Sequence, residues 1–117
     1  MIGIMYCMEQ NIENACMLHE NSKTICIDPS LPIFRLIGKR YTMFVLGVIG
    51  NNNTRKNFND IVKSIPGSSR TIIATRIKEL VNAGIVKRCS NEIVSYELTE
   101  LGYKIRKGII CFLNELE

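Results

Sequence analysis

Cationic, hydroxyl and amide side chains are concentrated between residues 55 and 88. This segment holds eight Lys or Arg against only Asp60 and Glu79, in a chain of 117 residues whose formal net charge is +4. At its centre is the run SSRTIIATRIKELVNAGIVKR, from Ser68 to Arg88. Such groups contact phosphates and the edges of bases, so the segment predicts a surface for double-stranded DNA. The alternative is an ordinary solvated basic face, which charge alone does not exclude.

A second cluster, near the start of the chain, has the residue types of a metal site. Cys7, Cys16, Cys26 and His19, the single histidine, could supply four tetrahedral ligands to zinc. Their spacing matches no recognised zinc motif, so we predict no metal and no cofactor. Sensing of oxidants by Cys16 or Cys26 is a second hypothesis, and packing as small apolar side chains is the favoured one.

The five cysteines are odd in number and follow no regular framework. This pattern favours thiols over structural disulfides. Cys89 and Cys111 fall in apolar surroundings and are expected in the core or in a dimer interface.

The residues give no catalytic set. A lone His19, scattered acids and the lack of a glycine-rich phosphate loop predict a protein that is not an enzyme. Ser68 and Ser69 are better explained as a helix cap than as a nucleophile, because no histidine can be assigned beside them. No apolar run reaches the roughly 18 residues of a membrane span, and the start lacks the pattern of a signal peptide, so we expect a cytoplasmic protein without a membrane partner.

The basic segment has the element order of a DNA-binding motif. Phe58, Ile61, Val62 and Ile65 recur at helical spacing and predict a short helix that ends before Pro66-Gly67. Ser68 or Ser69 can cap a second helix, 69–83, which Gly84 ends. A short helix and a tight turn of this kind present the following helix to the major groove.

After Gly84 the pattern changes from helical to extended. The runs IVKRC and IVSYEL, on either side of SNE, predict a β-hairpin, which can reach the neighbouring DNA backbone. Thr99 then caps a last helix. Its apolar stripe is longer than one small domain needs to cover its own core.

The N-terminal part gives weaker patterns. MEQNIENACMLHENS, residues 8–22, is weakly helical in pattern, and Asp28-Pro29 predicts a turn into a helix in LPIFRLIGKR. The next helix, YTMFVLGVIG, is predicted to be capped by Thr42 and to end at Gly50. The length suits one domain, which we divide into an N-terminal extension, 1–27, part of a dimer interface or flexible, and a winged-helix domain with its C-terminal helix, 28–117.

A projection at 100° per residue separates two faces of the helix 69–83. Ile73, Ile77 and Leu80 share the buried side, and Arg76 falls near them, where it snorkels, pairs with a carboxylate or contacts phosphate. Strand alternation sends one of Lys87 and Arg88 to each face of the hairpin, so one of the two should reach DNA. The candidate DNA-binding residues are therefore Ser69, Arg70, Thr71, Ala74, Thr75, Lys78 and Asn82, with Arg76 in second rank, Lys87 and Arg88 on the hairpin, and Arg55 and Lys56 before the motif.

Three strings together carry a family resemblance. LIGKRYT at 36–42, FNDIVKSIPGSSRTIIATRIKELVNAGIVKR at 58–88 and YELTELG at 96–102 resemble, in this order, the HxlR-type group of MarR-related winged-helix regulators. The resemblance covers about residues 28 to 116. The chain departs from the family pattern at Tyr41, where Trp is usual, at Asn57, where Arg is frequent, and at Asp28-Pro29, where many members carry Cys-Pro. The sensing role of that cysteine is therefore not carried over to Cys26.

The resemblance implies a fold and an assembly. The fold is α+β, mainly α: a winged helix-turn-helix with a two- or three-stranded wing sheet and extra N- and C-terminal helices for dimerisation. Such proteins bind operator DNA as homodimers, so we predict a repressor-type transcriptional regulator that recognises a palindromic operator with the helix 69–83. The dimer interface implied for the apolar stripe consists of Leu101, Ile105, Ile109, Phe112, Leu113 and Leu116.

A second hypothesis from another class stays open. The winged helix could serve as a protein–protein adaptor without sequence-specific DNA binding, its basic face covered by an acidic partner. The operator, the sign of regulation and any small-molecule or redox effector are left open by the residues.

Overall fold

The computed structural model describes residues 16–117, which fall into two compact units. The first unit ends at Arg35 and the second is Leu36–Glu117. The elements in chain order are β1 (Cys16–Glu20), β2 (Lys23–Ile27), α1 (Pro32–Leu36), α2 (Thr42–Ile49), a short 3-10 turn (Asn51–Asn53), α3 (Phe58–Lys63), α4 (Arg70–Asn82), β3 (Val86–Ser90), β4 (Val94–Leu98) and α5 (Glu100–Glu115). None of the helices in this part of the chain is both long and apolar enough to span a membrane.

The described part of the first unit begins with an antiparallel hairpin, β1 and β2, in which Cys16 faces Ile27 and Glu20 faces Lys23. The weakly helical prediction for 8–22 is therefore wrong for the strand Cys16–Glu20, and residues 8–15 lie outside the described range. A two-residue turn joins the strands, and Asn21 there has φ +56°, a conformation that asparagine tolerates better than most residues. The β-branched residues of β2 favour the extended pairing over a helix.

The prediction of thiols throughout is wrong for Cys26, which is disulfide-bonded. Cys16, Cys89 and Cys111 are free, and Cys7 lies outside the described residues. Because Met17 is the cross-strand partner of Cys26, the neighbouring Cys16 points to the opposite face of the hairpin. Cys16 and Cys26 therefore cannot join one metal site, and residues 16–117 contain no group of three side chains suited to a metal ion.

The core of the second unit forms where α2, α3 and α4 pack against the hairpin of β3 and β4. Val45, Leu46, Ile61, Ile73 and Leu80 are fully buried there. Lys56 adds a single antiparallel bridge to Tyr96 of β4, which extends the two-stranded sheet by one residue pair. Helix, turn, helix and hairpin follow in the order predicted, and the fold class is confirmed as a winged helix-turn-helix.

Local signals fix most of the ends of these helices. Ser69 caps α4 by accepting a hydrogen bond from the Ile72 amide, and Thr99 caps α5 by accepting from the Gly102 amide. Gly84, at φ +75°, supplies the left-handed conformation that follows α4. The predicted cap at Thr42 is wrong: Tyr41 holds the cap position at φ +70° without a side-chain bond, while Thr42 is buried inside the first turn.

Close contacts fix the position of α5. The Thr99 hydroxyl donates to the Gly84 carbonyl at 2.7 Å. A Cβ on Gly102 would lie 2.2 Å from the Ile85 carbonyl oxygen, so only glycine fits where α5 leaves the sheet. One turn later Arg106 donates from Nε to the Gly47 carbonyl and from Nη2 to Asn51 Oδ1, both at 2.9 Å. These bonds join α5 to the end of α2.

Candidate nucleic-acid interface

The outer face of α4 is built as the helical projection predicts. Ile73, Ile77 and Leu80 are buried. The side chains on the opposite side are exposed, and they are Arg70, Thr71, Ala74, Thr75, Lys78 and Asn82. This face combines cationic, hydroxyl, amide and small groups without an acid, so it offers donors to phosphates and to base edges. Thr75 Oγ1 bonds to the Thr71 carbonyl at 3.0 Å, which fixes the direction of its hydroxyl.

The one acid of α4 is turned away from this face. Glu79 accepts hydrogen bonds from Arg76 Nη1, at 2.6 Å, and from the Lys39 ammonium. Arg76 also donates from Nε to the Arg40 carbonyl at 2.8 Å. The Lys39 hydrogen bond is the main cause that holds the pKa of Glu79 below its ordinary value; burial opposes it, and the hydrogen bond from Arg76 and the charges of both cations add to the lowering.

In this network Arg76 pairs with the carboxylate of Glu79. Its side chain is only 17% exposed, and its guanidinium is paired with a carboxylate, which was one of the three alternatives from the sequence. Arg76 therefore ties α4 to the segment before α2, and its position favours a structural role over a contact with DNA.

Arg70, the first residue of α4, is held by the preceding helix. Its Nη2 donates to Asn59 Oδ1 at 2.8 Å. Its guanidinium carbon lies 4.9 Å from the centroid of the Phe58 ring, which is the distance of a cation–π contact. An exposed cation at the start of α4 is thus fixed in direction.

Lys87 and Arg88 have different surroundings on the wing, the hairpin of β3 and β4. Lys87 faces Glu97 across the sheet, whereas Arg88 faces Tyr96. Arg88 also bonds to Ser90 Oγ at 2.6 Å. Of the two, Arg88 lines a hollow of about 260 Å³ beside α4, whose walls are Phe58, Ala74, Ile77, Lys78, Val81, Arg88 and Tyr96. Arg88 is therefore the wing cation that shares a surface with the outer face of α4.

Arg55 and Lys56 are occupied within the protein. Arg55 Nε lies 3.3 Å from Glu97 Oε2 in an exposed ion pair. The ammonium of Lys56 bonds to the Asn51 carbonyl and to both oxygens of Thr54. Since an ammonium has three donors, Lys56 holds the loop before α3, while Arg55 keeps donors that can reach a phosphate.

Phe58, Asn59 and Tyr96 are residues of this surface that the sequence did not single out. Their positions fit helical periodicity or a wing strand, whereas their contacts with Arg70 and Arg88 join separate parts of the surface. No local pattern marks such contacts. Phe58 and Asn59 do stand in a family-like string, FNDI, which was the available signal.

The second exposed surface lies on α5 and is apolar. Of the predicted interface residues, Leu101, Phe112, Leu113 and Leu116 are exposed, the last at 67%, while Ile105 and Ile109 are half-buried. A neighbouring groove of about 400 Å³ is lined by Met43, Phe44, Gly47, Val48, Asn51, Arg106, Ile109, Ile110 and Leu113. Phe44 at its edge is 63% exposed. Contiguous apolar surface of this kind marks an interaction site.

Known proteins resemble this chain in sequence and in fold. Residues 36–116 match the family model of the HxlR-like helix-turn-helix. A possible HxlR family transcriptional factor from Thermoplasma volcanium GSS1 is 46% identical, with a TM-score of 0.80 over 88% of this chain and 94% of that one. The reduced form of the transcriptional regulator YodB from B. subtilis is 30% identical, with a TM-score of 0.62 over 69% and 81%.

More distant structures share the fold. A MarR-family regulator from Porphyromonas gingivalis W83 has a TM-score of 0.64 at 20% identity, over 84% of this chain and 92% of that one. No curated protein matches the chain significantly.

Proposed function

The chain belongs to the HxlR-like helix-turn-helix family of transcriptional regulators, and from this premise we propose that it acts as a homodimeric, repressor-type protein on a palindromic operator. In this proposal α4 enters the major groove and the wing contacts the backbone beside it. The observation that carries it is the outer face of α4, which exposes Thr71, Thr75 and Lys78 and no acid.

The α4 face supports recognition of bases as well as phosphates. Residues at the beginning of a recognition helix contact base edges, and Ser69, Arg70, Thr71, Ala74 and Thr75 occupy that part of α4. Lys78 makes no hydrogen bond or ion pair within residues 16–117, so its ammonium is available to a phosphate. Asn82 lies further along the same face.

The wing supports a second set of backbone contacts. Arg88 shares the hollow with Ala74 and Lys78, so it lies beside α4 and not behind it. We propose Arg88 as the principal wing contact, with Lys87 and Arg55 as outer phosphate contacts that add to affinity and its salt dependence. Arg76 and Lys56 support this surface from within.

The apolar surface of α5 supports the dimer. An isolated subunit would leave Phe112, Leu113 and Leu116 in water, at a cost of roughly 25 cal/mol for each Å² of apolar area. A second copy that packs its own α5 against this stripe and the adjoining groove would cover both. Two subunits related by a twofold axis would place two α4 helices in successive major grooves, about 34 Å apart.

Repressor-type action follows if the bound dimer excludes polymerase from a promoter. A reporter placed behind the operator would then rise in expression when the protein is deleted. A fall in expression would identify an activator and leave DNA binding intact.

The first test is fluorescence anisotropy with the duplex upstream of the coding region, against scrambled duplex, over a salt series. We expect a preference for the specific duplex and a steep fall of affinity with salt. Lys78→Ala should weaken binding roughly tenfold and lower the salt slope by about one per protomer, and Thr75→Ala should weaken specific binding alone. Lys104→Ala, an equal loss of charge on the exposed side of α5, is the matched control.

The outcomes separate the two functional hypotheses. Equal losses with Lys78→Ala and Lys104→Ala would mean that charge in general, and not α4, governs binding. If no duplex binds even at low salt, the adaptor hypothesis replaces this one. If binding is specific only for DNA from another locus, the operator lies elsewhere and the surface assignment stands.

A further inference from the structure

Two contacts restrict the guanidinium of Arg70. Asn59 Oδ1 accepts one hydrogen from Nη2, at 2.8 Å, and the ring of Phe58 lies against the guanidinium carbon, at 4.9 Å. The amide contact and the ring thus restrict the guanidinium from two sides. Two neighbouring residues at the start of α3 thus orient one side chain at the start of α4.

The held guanidinium keeps most of its donors. Arginine has five N–H groups in a rigid fork, and Asn59 takes one of them. The Nε hydrogen, both Nη1 hydrogens and the second Nη2 hydrogen remain for a ligand. Because Arg70 is exposed, that ligand can approach from outside the protein.

A fixed fork suits a ligand with two acceptors side by side. A phosphate also offers two acceptors to such a fork, but only a contact with a base makes binding depend on the DNA sequence. Guanine presents O6 and N7 together in the major groove, where an arginine fork binds both. The N-terminal residues of a recognition helix are the ones that contact base edges, and Arg70 is the first residue after the cap.

We infer that Asn59 and Phe58 are positioning residues that hold Arg70 for recognition of a guanine in each half of the operator. The inference rests on the proposed function, since it requires α4 in the major groove. It assigns Arg70 to a base and gives the first helix of the motif a role in sequence specificity. Neither residue of α3 needs to touch DNA.

A purely structural role for the same contacts has different consequences. If Asn59 and Phe58 served only to join α3 to α4, their loss would lower thermal stability and weaken binding to all duplexes by one factor. A positioning role changes the preference among bases at one site of each half-operator. Measuring that preference therefore distinguishes the two roles.

The experiment selects bound sequences from a pool of randomised duplexes with the full-length protein and counts bases at each position. The wild type should enrich guanine at one position in each half-site. Arg70→Gln should reduce this preference about five- to a hundredfold. Asn59→Ala and Phe58→Leu should each reduce it roughly threefold to tenfold, while the salt slope changes little because no charge is lost.

Two variants guard against misfolding and general charge effects. Phe58→Tyr keeps the ring against Arg70 and should retain the guanine preference. Arg55→Gln removes an exposed arginine of the same unit and should weaken all sequences alike. Circular dichroism during thermal unfolding shows whether each variant remains folded at the assay temperature.

The result that overturns the inference is a guanine preference unchanged in Asn59→Ala and in folded Phe58→Leu, or one that does not depend on Arg70. In that case specific binding by the wild type would still support the proposed function. If the wild type selects no sequence at all, the proposed function fails, and the assignment of Arg70 to guanine fails with it.

Discussion

Helices α4 and α5 each expose a full face, but the two faces have opposite chemistry. The outer face of α4 carries Thr75, Lys78 and Asn82, whereas that of α5 carries Phe112 and Leu113. Water solvates the first set at little cost and the second only at a large one. Exposure alone therefore does not identify a partner. The polar cationic face suits DNA, and the apolar face suits a second protein surface.

Leu113→Glu tests the apolar half of this comparison and should have the largest effect. A charge at the edge of the α5 groove would oppose burial against a second copy, yet the subunit should stay folded because Leu113 is 50% exposed. Loss of the dimer removes the second DNA contact, so operator affinity should fall about 100-fold or more. Sedimentation equilibrium and anisotropy measure the two effects.

The matched control for this variant is Lys104→Glu. Lys104 is exposed on the same helix, beside Glu100, and the substitution changes the charge by more than Leu113→Glu does. It should leave the dimer intact. If both variants stay dimeric, α5 is not the interface, and the comparison between the two faces loses its second half.

Gly102→Ala tests how the apolar face is held in place. The new Cβ would lie 2.2 Å from a backbone oxygen that cannot move freely, so we expect a loss of about 2 kcal/mol in the free energy of unfolding. Gly108→Ala on the same helix meets nothing within 4 Å and should instead stabilise the protein by up to about 1 kcal/mol. Urea unfolding of both variants measures whether each substitution lowers or raises the free energy of unfolding. Equal effects would contradict the close contact at the start of α5.

Arg88→Gln and Lys87→Gln compare neighbouring cations on the wing. Only Arg88 shares the hollow with α4, so its loss should weaken operator binding by roughly fivefold to tenfold and lower the salt slope. For Lys87→Gln, the loss of operator affinity, expressed as the change in log Kd, should be less than half of that for Arg88→Gln. Anisotropy over a salt series measures both. The reverse order would place DNA on the other face of the wing.

The residues that were predicted correctly depend on local signals. Ser69 before an amphipathic run and Gly84 after it determine the ends of α4 within a few residues of sequence. The turn at Asn21 contains no glycine, so the sequence around Cys16 lacks a turn signal and has the pattern of a weak helix. The extended structure of this segment instead depends on the pairing of β1 with β2. Thr42 has a capping side chain but lies one residue inside α2, where it is buried.

Contacts between different helices and strands could not be predicted from one sequence. The choice between Lys87 and Arg88 depends on where α4 lies beside the sheet, and the bond from Arg70 to Asn59 joins two helices. The disulfide at Cys26 likewise depends on spatial proximity and not on local pattern. Helical periodicity is enough to predict which side of α4 is buried and which is exposed. Which cations lie together on the proposed interface depends on how the elements pack.

Glu79 provides the smallest predicted effect, and it tests whether its charge stabilises the pairing with Lys39 and Arg76 that turns it away from the outer face of α4. Because Lys39 and Arg76 lower its pKa, its contribution to stability is present above the pKa of the unfolded chain and is lost as pH falls through the lower pKa of the folded protein. Glu79→Gln should therefore unfold in less urea than the wild type at pH 7, and the difference should vanish in acid. Glu100→Gln, at an exposed pair with Lys104, should show little difference at any pH. A pH-independent loss in Glu79→Gln would mean that packing, and not its charge, ties Glu79 to Lys39 and Arg76.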